Sequence, residues 1–312
     1  MSEEVINLRG SNGGLLAILH RPEHRESPVA CVIMLSSAQT PNFGPQRLYV
    51  KSARAWAQKG LHVLRVDLSG VGDAEAENPE VHVDCHSPQD VAIAVAYARN
   101  VLRSQIIVLH GHCSGARVAI KYAASDPIID AVVCWNVPMH TVEPISFTIG
   151  ASDSQARANV MRVIRAITEM QFLSPAWWRW VRPNAGAFSR QIAVSIARLV
   201  FNRHLSRNSQ LGDNRPFIHA LTRYLAQKRE IILIYGSAEY VAIREFLEEF
   251  PAISRTLDGA QSIQILPDGN HTLSTLAVEQ EAIRVSGDWI LSRVQDKALN
   301  NSAETYRPVK TA

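Results

Sequence analysis

The chain has 312 residues, of which 46% are hydrophobic and 20% charged, with a formal net charge of +3. This balance is typical of a globular protein and excludes a disordered chain, a collagen and a coiled coil. No stretch approaches the roughly 20 apolar residues of a membrane span, and the small net charge gives no nucleic-acid signal. The chain starts acidic and shows no secretory leader, so we expect a cytoplasmic protein.

The first 137 residues alternate between strand-like and helical segments. Two short runs, 5–8 and 15–19, flank a Gly-Gly pair and predict a β-hairpin. Apolar runs of buried-strand length then alternate with segments of helical period, which predicts a parallel sheet covered on both faces. The further predicted strands are 29–35, 61–66, 105–109 and 128–135, and the predicted helices are 47–59, 88–100 and 116–124.

From residue 138 the strand-like runs stop, and an Arg-rich and Trp-rich segment of helical period follows. Strands are predicted again at 231–235 and 262–266, with helices at 242–250 and 278–294. The predicted organisation is therefore an α/β core, 1–137 with 229–297, and a helical cap inserted at 138–228. We expect residues 298–312 to form a flexible tail.

The motif most specific for chemistry is G-H-C-S-G at residues 111–115, between a predicted strand and a predicted helix. It has the form of a nucleophile elbow, in which glycines flank a strained central residue because side chains there would clash. The central residue is Cys113, whose thiolate a helix N-terminus and a nearby histidine would favour. Ser114 is a rival nucleophile, although it stands off-centre. The alternative is a small buried thiol in a turn without catalysis.

An elbow of this kind is followed along the chain by an acid and then a histidine. Glu239 comes a few residues after the strand I-I-L-I-Y and is the candidate acid. His271 lies in a Gly-containing loop after the strand S-I-Q-I-L and is the candidate base. Asp268 in that same loop is the alternative acid.

An oxyanion hole needs two N–H donors aimed at the acyl oxygen. The backbone N–H of Ser114 is one candidate. The second comes from the loop after strand 29–35, as the N–H of either Ser37 or Ala38, and the hydroxyls of Ser36 or Ser37 could supplement it.

Residues 65–73, R-V-D-L-S-G-V-G-D, resemble the D-x-R-G-x-G-x-S segment of the α/β-hydrolase superfamily, in its serine aminopeptidase-like and lysophospholipase-like branch. The resemblance covers roughly 5–137 and 229–294 and implies an eight-stranded, mostly parallel sheet flanked by helices, with an inserted cap. Within that branch the chain looks most like hydrolases associated with bacterial exosortase systems. The likeness is carried by residues 46–59, by R-V-D-L-S-G-V-G-D-A-E at 65–75 and by the cysteine elbow, and the cap phrase S-P-A-W-W at 174–178 is similar as well. Most relatives have His-Gly where this chain has Ser36 and Ser37. Cyclases of this fold carry an acid after the sixth strand, where this chain has Asn136.

The predicted cap, counted with the adjoining Arg229, is strongly basic: residues 139–229 contain thirteen basic and four acidic side chains, a net charge of +9 that leaves −6 for the rest. Such a split favours an anionic partner, either an acyl carrier protein, a phosphopantetheine or coenzyme A phosphate, or an anionic lipid. The alternative is a solvated helical face. Trp177 and Trp178 are candidates for lining an acyl pocket or touching a membrane interface, or they pack the cap onto the core.

These residues predict an enzyme that cleaves or transfers an acyl group from an ester or thioester through Cys113, His271 and Glu239. The intermediate would be a thioester on Cys113, which makes transfer to an amine, thiol or carbanion a rival to hydrolysis. A hydrolase-like scaffold that binds a ligand without catalysis is the hypothesis of a different class. We expect no metal and no cofactor, because the four cysteines show neither C-x-x-C pairing nor zinc-ligand spacing.

Overall fold

A computed structural model describes residues 1–10, 13–24, 29–37, 40–74, 88–139, 210–260 and 262–305 of the chain. Its centre is an eight-stranded sheet. The strands are β1 (Ser2–Gly10), β2 (Gly13–Arg21), β3 (Ala30–Leu35), β4 (His62–Val66), β5 (Ile106–His112), β6 (Ala131–Trp135), β7 (Glu230–Gly236) and β8 (Ile263–Leu266). Their order across the sheet is β1-β2-β4-β3-β5-β6-β7-β8.

Strands β1 and β2 form the predicted antiparallel hairpin, and β2 also runs antiparallel to β4. Every other pairing in the sheet is parallel. The described helices are α1 (Leu48–Gln58), α2 (Pro88–Asn100), α3 (Ser114–Ser125), α4 (Gln210–Ala226), α5 (Tyr240–Glu249), α6 (Pro251–Gly259) and α7 (Leu276–Thr305). The predicted fold class, a mostly parallel sheet flanked by helices, is confirmed.

The central strands are apolar at nearly every position because helices cover both faces of the sheet. In β3, Cys31 and Ile33 belong to a core cluster shared with α2 and α3. Val32 and Met34, which point to the opposite face, belong to a second cluster shared with α1 and α7. A strand buried on both faces cannot show the alternating pattern of a half-exposed strand, which is why a continuous apolar run identified it.

Helix α7 continues to Thr305, well past residue 298, where the sequence predicts the start of a flexible tail. Residues 298–305 are helical, and the flexibility of residues 298–312 stays a prediction. Two ion pairs fasten this end of the helix to the core, Arg293 to Glu230 and Lys297 to Asp130. Residues 306–312 lie outside the described part of the chain.

The chain divides into two compact units, Met1–Met139 with Phe217–Ala312, and His140–Pro216. Residues 140–209 lie outside the described residues, so the helical cap at 138–228 stays a prediction there. The end of α4 groups with the core unit, where Phe217, Leu221 and Tyr224 are buried. None of the helices in the described ranges is both long enough and apolar enough to cross a membrane.

Candidate active site

The site lies at one edge of the sheet, because the carboxyl ends of parallel strands meet there. Cys113 directly follows β5, and Asn136 directly follows β6. Glu239 ends the 3₁₀ turn Ser237–Glu239 that follows β7, and His271 lies in the loop after β8. The topology alone therefore gathers side chains that are far apart along the chain.

Cys113 occupies the strained turn between β5 and α3, with φ 55° and ψ −124°. The turn is so tight that neither Gly111 nor Gly115 has room for a side chain. A Cβ on Gly111 would lie 2.3 Å from the backbone nitrogen of Ala116, and one on Gly115 would lie 2.7 Å from the carbonyl oxygen of Leu35. Backbone strain of this kind costs roughly 1–3 kcal/mol and is concentrated at functional sites. The Cys113 side chain is partly exposed.

We expect Gly115→Ala to lower the free energy of unfolding by about 1–3 kcal/mol, because its methyl group would press α3 away from the end of β3. The matched control is Gly259→Ala at the end of α6, where an added Cβ has no atom within 4 Å. Alanine at that helical position should leave stability unchanged or raise it by up to about 1 kcal/mol. Urea unfolding of both variants measures the difference, and equal midpoints would contradict this account of the elbow.

Glu239 and His271 form an ion pair, with 3.3 Å between Oε2 of the acid and Nδ1 of the ring. Their loops are in direct backbone contact: a Cβ on Gly236 would lie 2.5 Å from the carbonyl carbon of Gly269. The N–H of Ala238 also donates to the carbonyl oxygen of Gly269 at 2.9 Å. These contacts fix the acid relative to the histidine.

The side chain of His271 is also hydrogen-bonded to Cys113, so one ring joins the thiol and the carboxylate. Burial by itself would lower the pKa of His271. The hydrogen bonds to Cys113 and Glu239 oppose that effect and raise the pKa to about 10. A pKa in this range favours the charged form of the imidazole at neutral pH.

The alternative acid, Asp268, does not make this contact. It is exposed and has a positive φ of 57° in the turn after β8. Within the described ranges, the carboxylate paired with the His271 ring is that of Glu239.

The two alternatives for the second oxyanion donor differ in their hydrogen bonding. The N–H of Ser37 donates to the carbonyl oxygen of Thr40 at 3.1 Å, so it is not available to an acyl oxygen. Ala38 lies outside the described residues, as do Trp177 and Trp178. Ser36 is buried and its hydroxyl accepts a hydrogen bond from the N–H of Leu68. Ser114 is buried at the start of α3.

The loop that carries Ser37 is held by a buried polar network that the sequence did not reveal. Asp67 accepts hydrogen bonds from the backbone and side-chain nitrogens of Asn42, at 2.6 and 2.5 Å. Arg65 donates to the backbone and side-chain oxygens of the same asparagine. Burial raises the pKa of the Asp67 carboxyl, although the hydrogen bonds from Asn42 oppose the shift. The motif at 65–73 was a signal for this network, because it supplies both the aspartate and the arginine.

Tyr49 also supports the site, and the sequence analysis did not identify it. Its hydroxyl donates to the carbonyl oxygen of Leu35 at 3.1 Å and accepts from the N–H of His112 at 2.7 Å. It thus links the end of β3 to the residue just before Cys113. No three His, Cys, Asp or Glu side chains of the described ranges lie close enough together to hold a metal ion.

The model of the Alpha/beta hydrolase family matches residues 13–283, and no curated protein matches the chain. Among solved structures, Est1E from Butyrivibrio proteoclasticus with ferulic acid bound is 14% identical, covering 93% of this chain and 99% of that one, with a TM-score of 0.57. The proline iminopeptidase of Mycobacterium smegmatis is 14% identical, with 94% and 100% covered and a TM-score of 0.53. A dienelactone hydrolase from Anabaena variabilis is 13% identical, with 93% and 97% covered and a TM-score of 0.52. At such identities the structures share a fold with this chain, and the family match covers most of its length. The chain belongs to the α/β hydrolase family.

Proposed function

We propose that this hydrolase acts on an ester or thioester through Cys113, His271 and Glu239, with a thioester on Cys113 as the intermediate. The observation that carries the proposal is the unbroken contact from Cys113 through the His271 ring to Glu239, at a strained turn that projects the thiol. Strained backbone and perturbed titratable groups are both concentrated at functional sites, which favours an enzyme over a non-catalytic scaffold.

In the first half of the reaction, the Cys113 thiolate attacks the acyl carbonyl carbon. The N–H groups of Ser114 and Ala38 are the proposed donors to the oxyanion that forms. His271 then gives its proton to the leaving oxygen or sulfur as the tetrahedral intermediate collapses, which leaves the acyl group on Cys113. Glu239 orients the imidazole and stabilises its charge throughout.

In the second half, His271 must take a proton from the acceptor instead of giving one. Acylation removes the negative charge of Cys113, and with it one of the contributions that raise the pKa of His271. The ring is then more readily unprotonated, which is the form that can accept a proton from the acceptor. Water as acceptor completes hydrolysis, whereas an amine, a thiol or a carbanion completes an acyl transfer or a cyclisation in the same site.

The basic segment 139–229 supports a substrate whose acyl group is borne by an anionic carrier, either coenzyme A or a carrier protein. Trp177 and Trp178 are proposed to line the acyl pocket. The likeness to exosortase-associated hydrolases rests on residues 46–59 and 65–75, on the cysteine elbow and on the phrase at 174–178, and we propose that branch as the family context.

The test is mass spectrometry of the intact protein after rapid mixing with p-nitrophenyl acetate or with acetyl coenzyme A. We expect an acetyl adduct that maps to Cys113 with both donors. Raising the salt from 0.1 M to 1 M shortens the Debye length from about 10 Å to about 3 Å. Adduct formation should therefore slow with salt for acetyl coenzyme A and stay constant for the neutral ester.

The charge of the cap is tested by Arg203→Glu and Arg207→Glu, which should slow acylation by acetyl coenzyme A alone. Arg255→Glu reverses an exposed charge on α6 of the core and serves as the matched control. Equal salt profiles for the two donors would remove the anionic carrier from the proposal. The absence of an adduct and of turnover with any donor would favour the binding scaffold.

A further inference from the structure

Asn136 follows β6 directly, at the position where cyclases of this fold have their acid. Its backbone has a positive φ of 44° and its side chain is buried. The side-chain oxygen accepts a hydrogen bond from the N–H of Gly236 at 2.9 Å. The side-chain nitrogen donates to the carbonyl oxygens of His271 at 2.8 Å and of Asn270 at 3.2 Å. One amide therefore joins the ends of β6 and β7 to the histidine loop.

The carbonyl oxygen of His271 receives a second donor from His112, the residue before Cys113. The distance from Nε2 of His112 to that oxygen is 2.7 Å, and the two imidazole rings lie 5.1 Å apart between centroids. Burial, reinforced by the nearby His271, lowers the pKa of His112 to about 4. A neutral ring has a single N–H, and the carbonyl partner assigns it to Nε2.

We infer that Asn136 is a positioning residue, which holds His271 on the line between Cys113 and Glu239 through the main chain of the histidine. The inference rests on the proposed function and adds a residue to its machinery. The N–H of Gly236 donates to the side chain of Asn136, and Gly236 directly precedes the short turn that ends at Glu239. The same side chain thus sets both the acid-bearing turn and the histidine loop.

The chemistry of this position requires an amide. A carboxylate could accept the Gly236 N–H, but it could not donate to the carbonyl oxygens of Asn270 and His271. It would instead face them with a negative charge in a buried place, which is costly. The residue after the sixth strand can therefore be a catalytic acid, or it can donate hydrogen bonds to the histidine loop, but it cannot do both.

The test is Asn136→Gly, because glycine accepts the left-handed backbone without strain and removes all three side-chain hydrogen bonds. A displacement of His271 by about 1 Å is expected to cost about 100-fold in kcat for p-nitrophenyl acetate, with little change in KM. Weaker hydrogen bonds to Cys113 and Glu239 would also let burial lower the pKa of His271. The alkaline limb of the kcat/KM profile should then move to lower pH.

The matched control is Ser286→Ala, which removes the buried hydrogen bond that Trp135, the neighbour of Asn136, donates to the serine hydroxyl at 2.9 Å. We expect this variant to lose stability in urea with unchanged kcat and pH profile. If Asn136→Gly behaves like the control, the positioning role is refuted and the asparagine is only structural.

A second variant keeps the test decisive if the glycine variant does not fold. Asn136→Asp tolerates the same backbone conformation and keeps an acceptor for Gly236, but loses the amide donors at neutral pH. It should show the same loss of kcat, and wild-type kinetics would refute the inference.

The wild-type protein separates the two hypotheses. If it neither turns over the ester nor forms the Cys113 adduct, both the proposed function and this inference are refuted. If the wild type is active and the Asn136 variants are unaffected, this inference alone is refuted.

Discussion

Replacing Cys113 with alanine is expected to lower kcat/KM by about 10⁴-fold or more, because it removes the thiol that forms the proposed acyl-enzyme bond. Cys113→Ser should leave a trace of activity. A serine hydroxyl is almost fully protonated near neutral pH and needs stronger base assistance than a thiol. The measurement is the rate of ester hydrolysis or transfer by the wild type and the two Cys113 variants with the same donor.

The control for this prediction is the neighbouring hydroxyl. Ser114→Ala keeps the backbone N–H that is proposed for the oxyanion hole, so we expect a mild effect of less than about tenfold. An inactive Ser114→Ala together with an active Cys113→Ala would transfer the role of nucleophile to Ser114. The elbow geometry would then need a different explanation, because the strained φ belongs to Cys113.

The positions of the candidate site could be predicted from the sequence because the strand endings are visible in it. Apolar runs of strand length end just before Cys113, Glu239 and His271, and parallel strands bring their carboxyl ends to one edge. The contact between Glu239 and His271 at 3.3 Å agrees with that placement. The catalytic roles of these residues stay predictions.

The hydrogen bonds that hold the site could not be predicted in the same way. These hydrogen bonds join the side chains of Asn136, His112 and Tyr49 to backbone groups. Every residue has a backbone carbonyl, and all but proline have an N–H, so a sequence pattern does not show which of them is the partner. Their partners are also remote, as His271 lies 135 residues beyond Asn136. The sequence left Ser37 and Ala38 as alternatives for a similar reason, because the choice depends on which N–H is hydrogen-bonded to Thr40 in the turn.

Helix α6 was missed although its sequence carries a start signal. Pro251 occupies the first turn, where the missing N–H of proline is harmless and its fixed φ suits a helix. The helix follows α5 almost without a break. The sequence analysis predicts a helix over 242–250 and none over 251–259, the short amphipathic segment that follows it.

His271→Ala is expected to lower kcat/KM by about 10³-fold or more, because the imidazole supplies the proton in the first half of the reaction and removes one in the second. Glu239→Gln should cost only about ten- to a hundredfold. The acid orients the ring and stabilises its charge, and a thiolate–imidazolium pair depends less on that help than a serine does. The His271 side chain is 41% exposed, so water also screens the pair.

The pH profile separates these two roles. Its alkaline limb reports the loss of the His271 proton, which is expected near pH 10 in the wild type because hydrogen bonds to Cys113 and Glu239 raise that pKa. Glu239→Gln removes one of the contributions that raise it, so the limb should move to lower pH. An unchanged limb and rate in Glu239→Gln, together with a loss of activity in Asp268→Asn, would transfer the role of acid to Asp268. That outcome would require the loop after β8 to turn an exposed carboxylate toward the ring during the reaction, since the ring nitrogen Nδ1 faces Glu239 in this structure.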